Sequence, residues 1–94
     1  LDFKNVDFDR YPAVKLAYDA GRAGGSMPTV LNAANEVAVD LFLNEKIKFL
    51  EIEEIVKEAM DNHTLITNPT LEEVLDVDSK VREVIYGKWD KWLV

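Results

Sequence analysis

The sequence contains a single histidine, His63, which is the first candidate to consider for acid–base chemistry. Histidine is the usual general base near neutral pH, because its ordinary pKa is about 6.5. His63 follows Asn62 in the stretch His63-Thr64-Leu65-Ile66-Thr67-Asn68-Pro69, and no nucleophile or carboxylate is tied to it by spacing. The pattern therefore favours a residue at the C-terminal end of a helix over a catalytic base.

Two asparagines and a glutamate form a second candidate site in the run Leu31-Asn32-Ala33-Ala34-Asn35-Glu36. On a helical wheel of about 100° per residue, Asn35 falls among apolar positions, which predicts a buried amide. A buried amide without hydrogen bonds costs about 1–3 kcal/mol, so Asn32, Asn35 and Glu36 are expected to tie their helix to neighbouring backbone. A ligand or metal site is the alternative reading, but two amides and one carboxylate are a weak ligand set.

The other candidate residues carry no recognisable catalytic pattern. Asp7 and Asp9 could be metal ligands, but a solvated acidic edge before a helix is the favoured interpretation. Ser26 and Ser79 are read as turn or cap residues. Gly21, Gly24 and Gly25 do not form the GxGxxG or GxxxxGK[ST] loops that bind phosphates. We therefore assign no catalytic, cofactor-binding or metal-binding residue to this chain.

Composition restricts the classes of partner. With a formal net charge of −7, the chain is unsuited to nucleic acid or to an anionic membrane surface, because both require clustered lysine and arginine. No stretch approaches the about 20 apolar residues that span a bilayer. The absence of cysteine excludes disulfides, thiolate zinc sites and cysteine nucleophiles, and it fits a reducing cytosol. A chain of 94 residues allows one domain, and its start at Leu1 without methionine suggests a piece of something longer.

Apolar periodicity predicts an all-α fold, a small bundle of about four helices with an extended N-terminal arm. The arm, Leu1 to Arg10, alternates apolar and charged residues and is expected to dock its aromatic side chains on the core. The helix from Thr29 is apolar over most of its circumference, which places it at the centre. The first three helices are predicted at Tyr11 to Ala23, at Thr29 to Leu43 with Pro28 near its start, and at Glu51 to Asp61 or Asn62.

Finer features of the elements are also predicted. Thr70-Leu71-Glu72-Glu73 matches a capping box, and Val77-Asp78-Ser79 offers a second cap, so we expect a short helix to bend near Asp76 to Ser79 into a longer one. Ile47 to Leu50 is expected to form a short extended piece. Gly21 is expected where the helix from Thr29 approaches closely. Trp89 and Trp92 are either lids on the core, which is favoured, or an exposed docking patch.

Several motifs together resemble one known family. These are Asp9-Arg10-Tyr11-Pro12, Lys15-Leu16-Ala17-Tyr18, Gly24-Gly25, Leu31-Asn32-Ala33-Ala34-Asn35-Glu36, Ile47-Lys48-Phe49 with Ile52, Val74-Leu75-Asp76-Val77-Asp78, and Arg82-Glu83. Their order and spacing resemble the C-terminal region of the 1-deoxy-D-xylulose 5-phosphate reductoisomerases over nearly the whole chain. At Ala13 the family often has a cysteine, and the alanine suits a packing position.

The resemblance implies a place in an oxidoreductase of non-mevalonate isoprenoid biosynthesis. That enzyme converts 1-deoxy-D-xylulose 5-phosphate to 2-C-methyl-D-erythritol 4-phosphate with NADPH and a divalent cation, Mg or Mn. In the family, the cofactor, metal and substrate residues lie upstream of the matched region, so none is carried over to this chain. Residues 1–94 are then a single C-terminal domain that supports the catalytic domain of the same chain, in a cytoplasmic homodimer, and the fragment alone is inert.

A free-standing helical interaction module is the alternative function. Such a module would bind a partner through an exposed apolar face and the tryptophans. The sequence upstream of Leu1 separates the two readings, because a nucleotide-binding motif there would indicate the enzyme.

Overall fold

The second of four helices is the centre of the fold. The computed structural model describes residues 12–89, in which the helices are α1 (Pro12–Ala23), α2 (Met27–Leu43), α3 (Glu51–Asn62) and α4 (Leu71–Trp89). The all-α prediction is confirmed for this part of the chain. The predicted arm, Leu1 to Arg10, lies outside the described residues.

α2 forms the core because it is apolar on most sides and many of its apolar residues are small. Alanine at Ala33, Ala34 and Ala38 lets the neighbouring helices approach closely, and α1, α3 and α4 all pack against α2. The core cluster adds Ala20 from α1, Ile55 and Val56 from α3, and Val77 and Ile85 from α4. The prediction that the helix from Thr29 is central is therefore correct.

The start of α2 differs slightly from the prediction. The helix begins at Met27, so that Pro28 is its second residue, and Ser26 occupies the N-cap position. Proline is tolerated there because the first N–H groups of a helix have no partner within the helix. The Ser26 side chain makes no capping hydrogen bond to α2. Gly24 and Gly25 supply the positive φ angles, 66° and 53°, that turn the chain from α1 into α2.

Gly21 is not the site of a close approach between helices. It is exposed, and a Cβ atom added to it would meet no atom within 4 Å. Ala20, which is 1% exposed, is the residue of α1 that packs into the core. The prediction placed the contact one residue too far along the helix.

The predicted bend in α4 is absent, because the helix runs unbroken from Leu71 to Trp89. Asp78 does not cap a new helix. Its carboxylate instead accepts hydrogen bonds from Arg82 one turn later, and Asp76 pairs with Lys80 at the same spacing. Such pairs four residues apart stabilise the helix that contains them.

The segment Ile47 to Leu50 is also not extended. It forms irregular turns in which Ile47 is buried while Phe49 and Leu50 are exposed. The Lys48 N–H group donates to the Glu51 side chain, and the Glu51 N–H group donates to the Lys48 carbonyl oxygen. These reciprocal hydrogen bonds cap the start of α3, as in a capping box. They hold the segment in a turn, so it does not adopt an extended conformation.

The capping box at the start of α4 is confirmed. The Glu73 N–H group donates to Thr70 Oγ1 at 3.2 Å, and the Thr70 N–H group donates to Glu73 Oε1 at 3.0 Å. No helix within residues 12–89 is long and apolar enough to cross a membrane.

Replacing Thr70 with alanine should lower the free energy of unfolding by about 1 kcal/mol, because an N–H group at the start of α4 loses its acceptor. Urea unfolding followed by circular dichroism measures the change. Ser79→Ala is the matched control, because Ser79 is exposed within α4. Equal effects of the two substitutions would contradict a capping role for Thr70.

Candidate functional site

Ser26 joins the α1–α2 turn to the loop between α3 and α4. Its Oγ atom lies 2.6 Å from Nε2 of His63 and accepts a hydrogen bond from the Ile66 N–H group at 2.9 Å. The Ser26 N–H group donates to the Ile66 carbonyl oxygen, also at 2.9 Å. Ser26 has no exposed surface. One small residue thus satisfies both backbone groups of Ile66 and orients the only histidine.

Gly25 is required for this contact. A Cβ atom at Gly25 would overlap the carbonyl oxygen of Ile66 and crowd that of Thr67, and its φ angle of 53° disfavours other residue types. Only glycine lets the two loops approach closely enough for Ser26 to reach Ile66. This close approach to the α3–α4 loop was not predicted, since the approach expected at Gly21 was to the helix from Thr29.

Burial favours the uncharged form of the histidine in this contact. Desolvation by burial lowers the pKa of His63 from 6.5, which favours neutral imidazole. Ser26 Oγ accepts from the Ile66 N–H group and forms a second hydrogen bond with Nε2 of His63, whose tautomer sets the direction. The prediction that His63 ends a helix is confirmed, because it is the C-cap residue of α3.

The Ser26–His63 pair is not arranged for nucleophilic catalysis. A serine nucleophile must be reached by its substrate, and Ser26 is fully buried. Its oxygen is held by Ile66, and among residues 12–89 no group of three or more histidine or acidic side chains is placed to hold a metal ion. Sequence reasoning missed this pair because its members are 37 residues apart and no local pattern links them.

A second polar cluster joins α2 to α4. Arg82 donates to Glu36 at 2.6 Å and to both carboxylate oxygens of Asp78, at 2.9 and 3.1 Å. The Tyr86 hydroxyl group donates to Asp40 at 2.8 Å. We call Glu36, Asp40, Asp78, Arg82 and Tyr86 the polar seam. Because Arg82–Glu36 and Tyr86–Asp40 both join residues 46 apart and one turn separates them, α2 and α4 run parallel.

The polar seam explains the acidic residue of the Asn32 to Glu36 run. The hydrogen bonds that Arg82 donates to Asp78 and then to Glu36 raise its pKa above the usual value, so the guanidinium group stays charged. Glu36 therefore has the structural role that was predicted for it, although its partner is a side chain of α4 and not backbone.

Asn35 does not have the predicted buried position. It lies on one stripe of α2 with Leu31 and Val39, as the wheel indicated, but its side chain is exposed. The stripe faces an open groove of about 260 Å³, which we call the α1–α3 groove. It is lined by Ala13, Leu16, Leu31, Asn35, Val39, Phe49, Ile52, Glu53 and Val56. The expectation failed because no helix covers this stripe within residues 12–89.

The remaining candidate residues form no site in the described part of the chain. Ser79 is exposed on α4, and Asn32 is exposed on α2. Asp7, Asp9 and Trp92 lie outside the described residues. Trp89 is partly buried against the core, as the lid interpretation predicted for it, and lines a cleft between α3 and α4 with Ile55 and Val81.

Replacing Gly25 with alanine should destabilise the chain by about 2–3 kcal/mol, because the new Cβ combines overlap with an unfavourable φ angle. Gly21→Ala is the control and should stabilise the helical state by about 0.5–1 kcal/mol, since open space surrounds Gly21 in α1. Urea unfolding of both variants checks the pair. A harmless Gly25→Ala would contradict the close approach to Ile66.

The contact should weaken in acid. Because the folded-state pKa of His63 lies below the unfolded value, the unfolded chain binds the proton more readily, and stability falls as the pH drops below 6.5 towards the folded pKa. His63→Gln retains an acceptor but does not titrate. Between neutral pH and about pH 5, the wild type should therefore lose more stability than this variant. A His63 pKa above 6.5, measured by NMR, would refute the conclusion that burial favours the neutral imidazole.

Arg82→Met should lower stability by about 1 kcal/mol, because two carboxylates lose their partner at a position that is only partly exposed. Lys80→Met should change it by less than about 0.5 kcal/mol, since the Lys80–Asp76 pair is well exposed. A double-mutant cycle with Glu36→Gln isolates the contact between α2 and α4. A coupling energy of zero would show that the seam does not join the helices.

Comparison with known proteins places this chain in one family. The family described as DXP reductoisomerase C-terminal domain matches residues 1–84. Proteins named 1-deoxy-D-xylulose 5-phosphate reductoisomerase are 65% identical to this chain in Exiguobacterium sp., 54% in Listeria monocytogenes and 47% in Bacillus pumilus, each over 85 residues. Each alignment covers 90% of this chain but 22% of the relative's length. The resemblance found in the sequence is thereby confirmed, and the chain belongs to the DXP reductoisomerase C-terminal domain family.

Proposed function

We propose that this chain is the supporting helical domain of a 1-deoxy-D-xylulose 5-phosphate reductoisomerase and contributes no reacting group. The family match over residues 1–84 is the observation that carries the proposal. The relatives share a name that gives the activity. This chain corresponds to only 22% of their length, so the catalytic parts of the enzyme have ample room in the remainder. The reaction is the NADPH-dependent conversion of the sugar phosphate to 2-C-methyl-D-erythritol 4-phosphate.

The use of the polar side chains supports a structural role. Ser26 and His63 bind each other and Ile66, and Arg82 binds Glu36 and Asp78. Each of these groups holds two elements of the fold together, which leaves it poorly placed to bind a substrate. A rigid domain of this kind helps catalysis by holding the parts of the enzyme that contact the substrate in position.

The proposal assigns cofactor and metal binding to the rest of the enzyme. NADPH and the divalent cation, Mg or Mn, would be bound by the remainder of the polypeptide, and this chain would bind neither. Its partner is the catalytic domain of the same polypeptide, in a cytoplasmic homodimer. The exposed leucine and phenylalanine side chains, which would otherwise suggest a free-standing interaction module, then have a partner within the enzyme.

Activity measurements on the isolated chain and on the full-length enzyme test the proposal. The isolated chain should be helical by circular dichroism and should not oxidise NADPH in the presence of the sugar phosphate and Mg²⁺ or Mn²⁺. The full-length protein should do so under the same conditions. NADPH oxidation by the chain alone, or an inactive full-length protein that is correctly folded, would overturn the assignment.

A further inference from the structure

The α1–α3 groove is a part of the core that the described helices leave open. Its floor is the stripe Leu31, Asn35 and Val39 of α2, which repeats every four residues and so forms one face of that helix. Leu16 of α1 and Ile52 of α3 form the two sides. Leu31, Leu16 and Ile52 are only partly buried, although they pack against the core. An apolar floor between two helices that do not close over it is typical of a surface that another element covers.

One end of the groove carries a large exposed aromatic side chain. Phe49 keeps 66% of its surface exposed and contacts Phe42 edge-to-face, with ring centroids 5.6 Å apart. Leu43, the last residue of α2, and Leu50, on the α2–α3 connection, are also exposed, at 72% and 76%. A side chain of this size stabilises a protein more when it is fully buried than when it is exposed. The domain by itself leaves this stabilisation unused.

Asn35 gives the groove a polar group suited to a polypeptide. Its amide can donate and accept hydrogen bonds at the same time, as a peptide group does. Glu53 is the one charged residue in the lining, so charge gives the groove little selectivity for an ionic ligand. An apolar groove with one exposed amide fits a segment that brings apolar side chains and a backbone requiring hydrogen bonds.

Chain connectivity identifies the occupant. The family is described as a C-terminal domain, and this chain covers 22% of its relatives, so most of their polypeptide precedes the domain. That polypeptide precedes residue 1, eleven residues before α1, and Ala13, the second residue of α1, lines the groove. Another side of α2 is covered by α4 through the polar seam.

We propose that the α1–α3 groove is the docking surface for the part of the reductoisomerase polypeptide that precedes residue 1 of this chain, with Asn35 and Phe49 among its contacts. This inference rests on the proposed function and extends it to a specific face of the domain. The occupant belongs to the same polypeptide as the groove, so docking carries less of the entropic cost that a separate partner would face.

Cysteine accessibility in the full-length enzyme tests the proposal, because this chain has no cysteine of its own. Single thiols are introduced as Asn35→Cys and Phe49→Cys, with Glu83→Cys on the exposed side of α4 as the control. Iodoacetamide labelling is followed by mass spectrometry of the modified peptide. In the native enzyme, the thiols at 35 and 49 should react at least about tenfold more slowly than in denaturant, since they react only when the interface opens. The thiol at 83 should react at nearly its denatured rate.

Several outcomes separate the occupants. Thiols at 35 and 49 that react as fast as the one at 83 would overturn the docking surface, even in an active enzyme whose proposed function stands. Protection that increases with protein concentration would indicate a second copy and would also overturn it. Hydrogen–deuterium exchange of the unmodified protein gives an independent measurement. Residues 44–50 should exchange more slowly in the full-length enzyme than in the isolated chain, and equal rates would contradict the proposal.

Discussion

Enclosure of α2 is the constraint on which the rest of the structure depends. The helix is apolar on nearly every side, so it requires neighbours around most of its circumference. Its alanines allow α1, α3 and α4 to pack closely against it. Its polar residues include Glu36 and Asp40 in the seam towards α4 and the exposed Asn32 and Asn35. The positions of the other helices follow from these few features.

The contact at Ser26 has a different role, because it fixes the connections between helices. Apolar packing has little directionality, so it does not by itself determine where a loop lies. Hydrogen bonds between Ser26 and both backbone groups of Ile66 do determine it, and they need Gly25 beside them. A pair that resembles the beginning of a catalytic triad is thus a structural link, which shows why accessibility must be considered along with distance.

Features determined by neighbouring residues could be predicted, whereas features determined by distant ones could not. The capping box at Thr70 and the ends of α3 follow from local hydrogen bonding and were correct. Asp78 has the chemistry of a cap, and only its contact with Arg82 reveals that the helix continues through it. The wheel assigned Asn35 to the right face of α2 but contained no information on whether another helix covers that face. The link between Ser26 and His63 required the folded chain.

The parallel arrangement of α2 and α4 has a consequence for synthesis of the protein. Since α4 follows α2 in the chain, the face of α2 that meets the polar seam has no partner until residues up to Tyr86 have left the ribosome. Closure across 46 residues also requires the intervening segment, including α3, to be in place. The domain therefore completes its core late, when nearly all of its helices are available, and an unfinished chain leaves its most apolar helix uncovered.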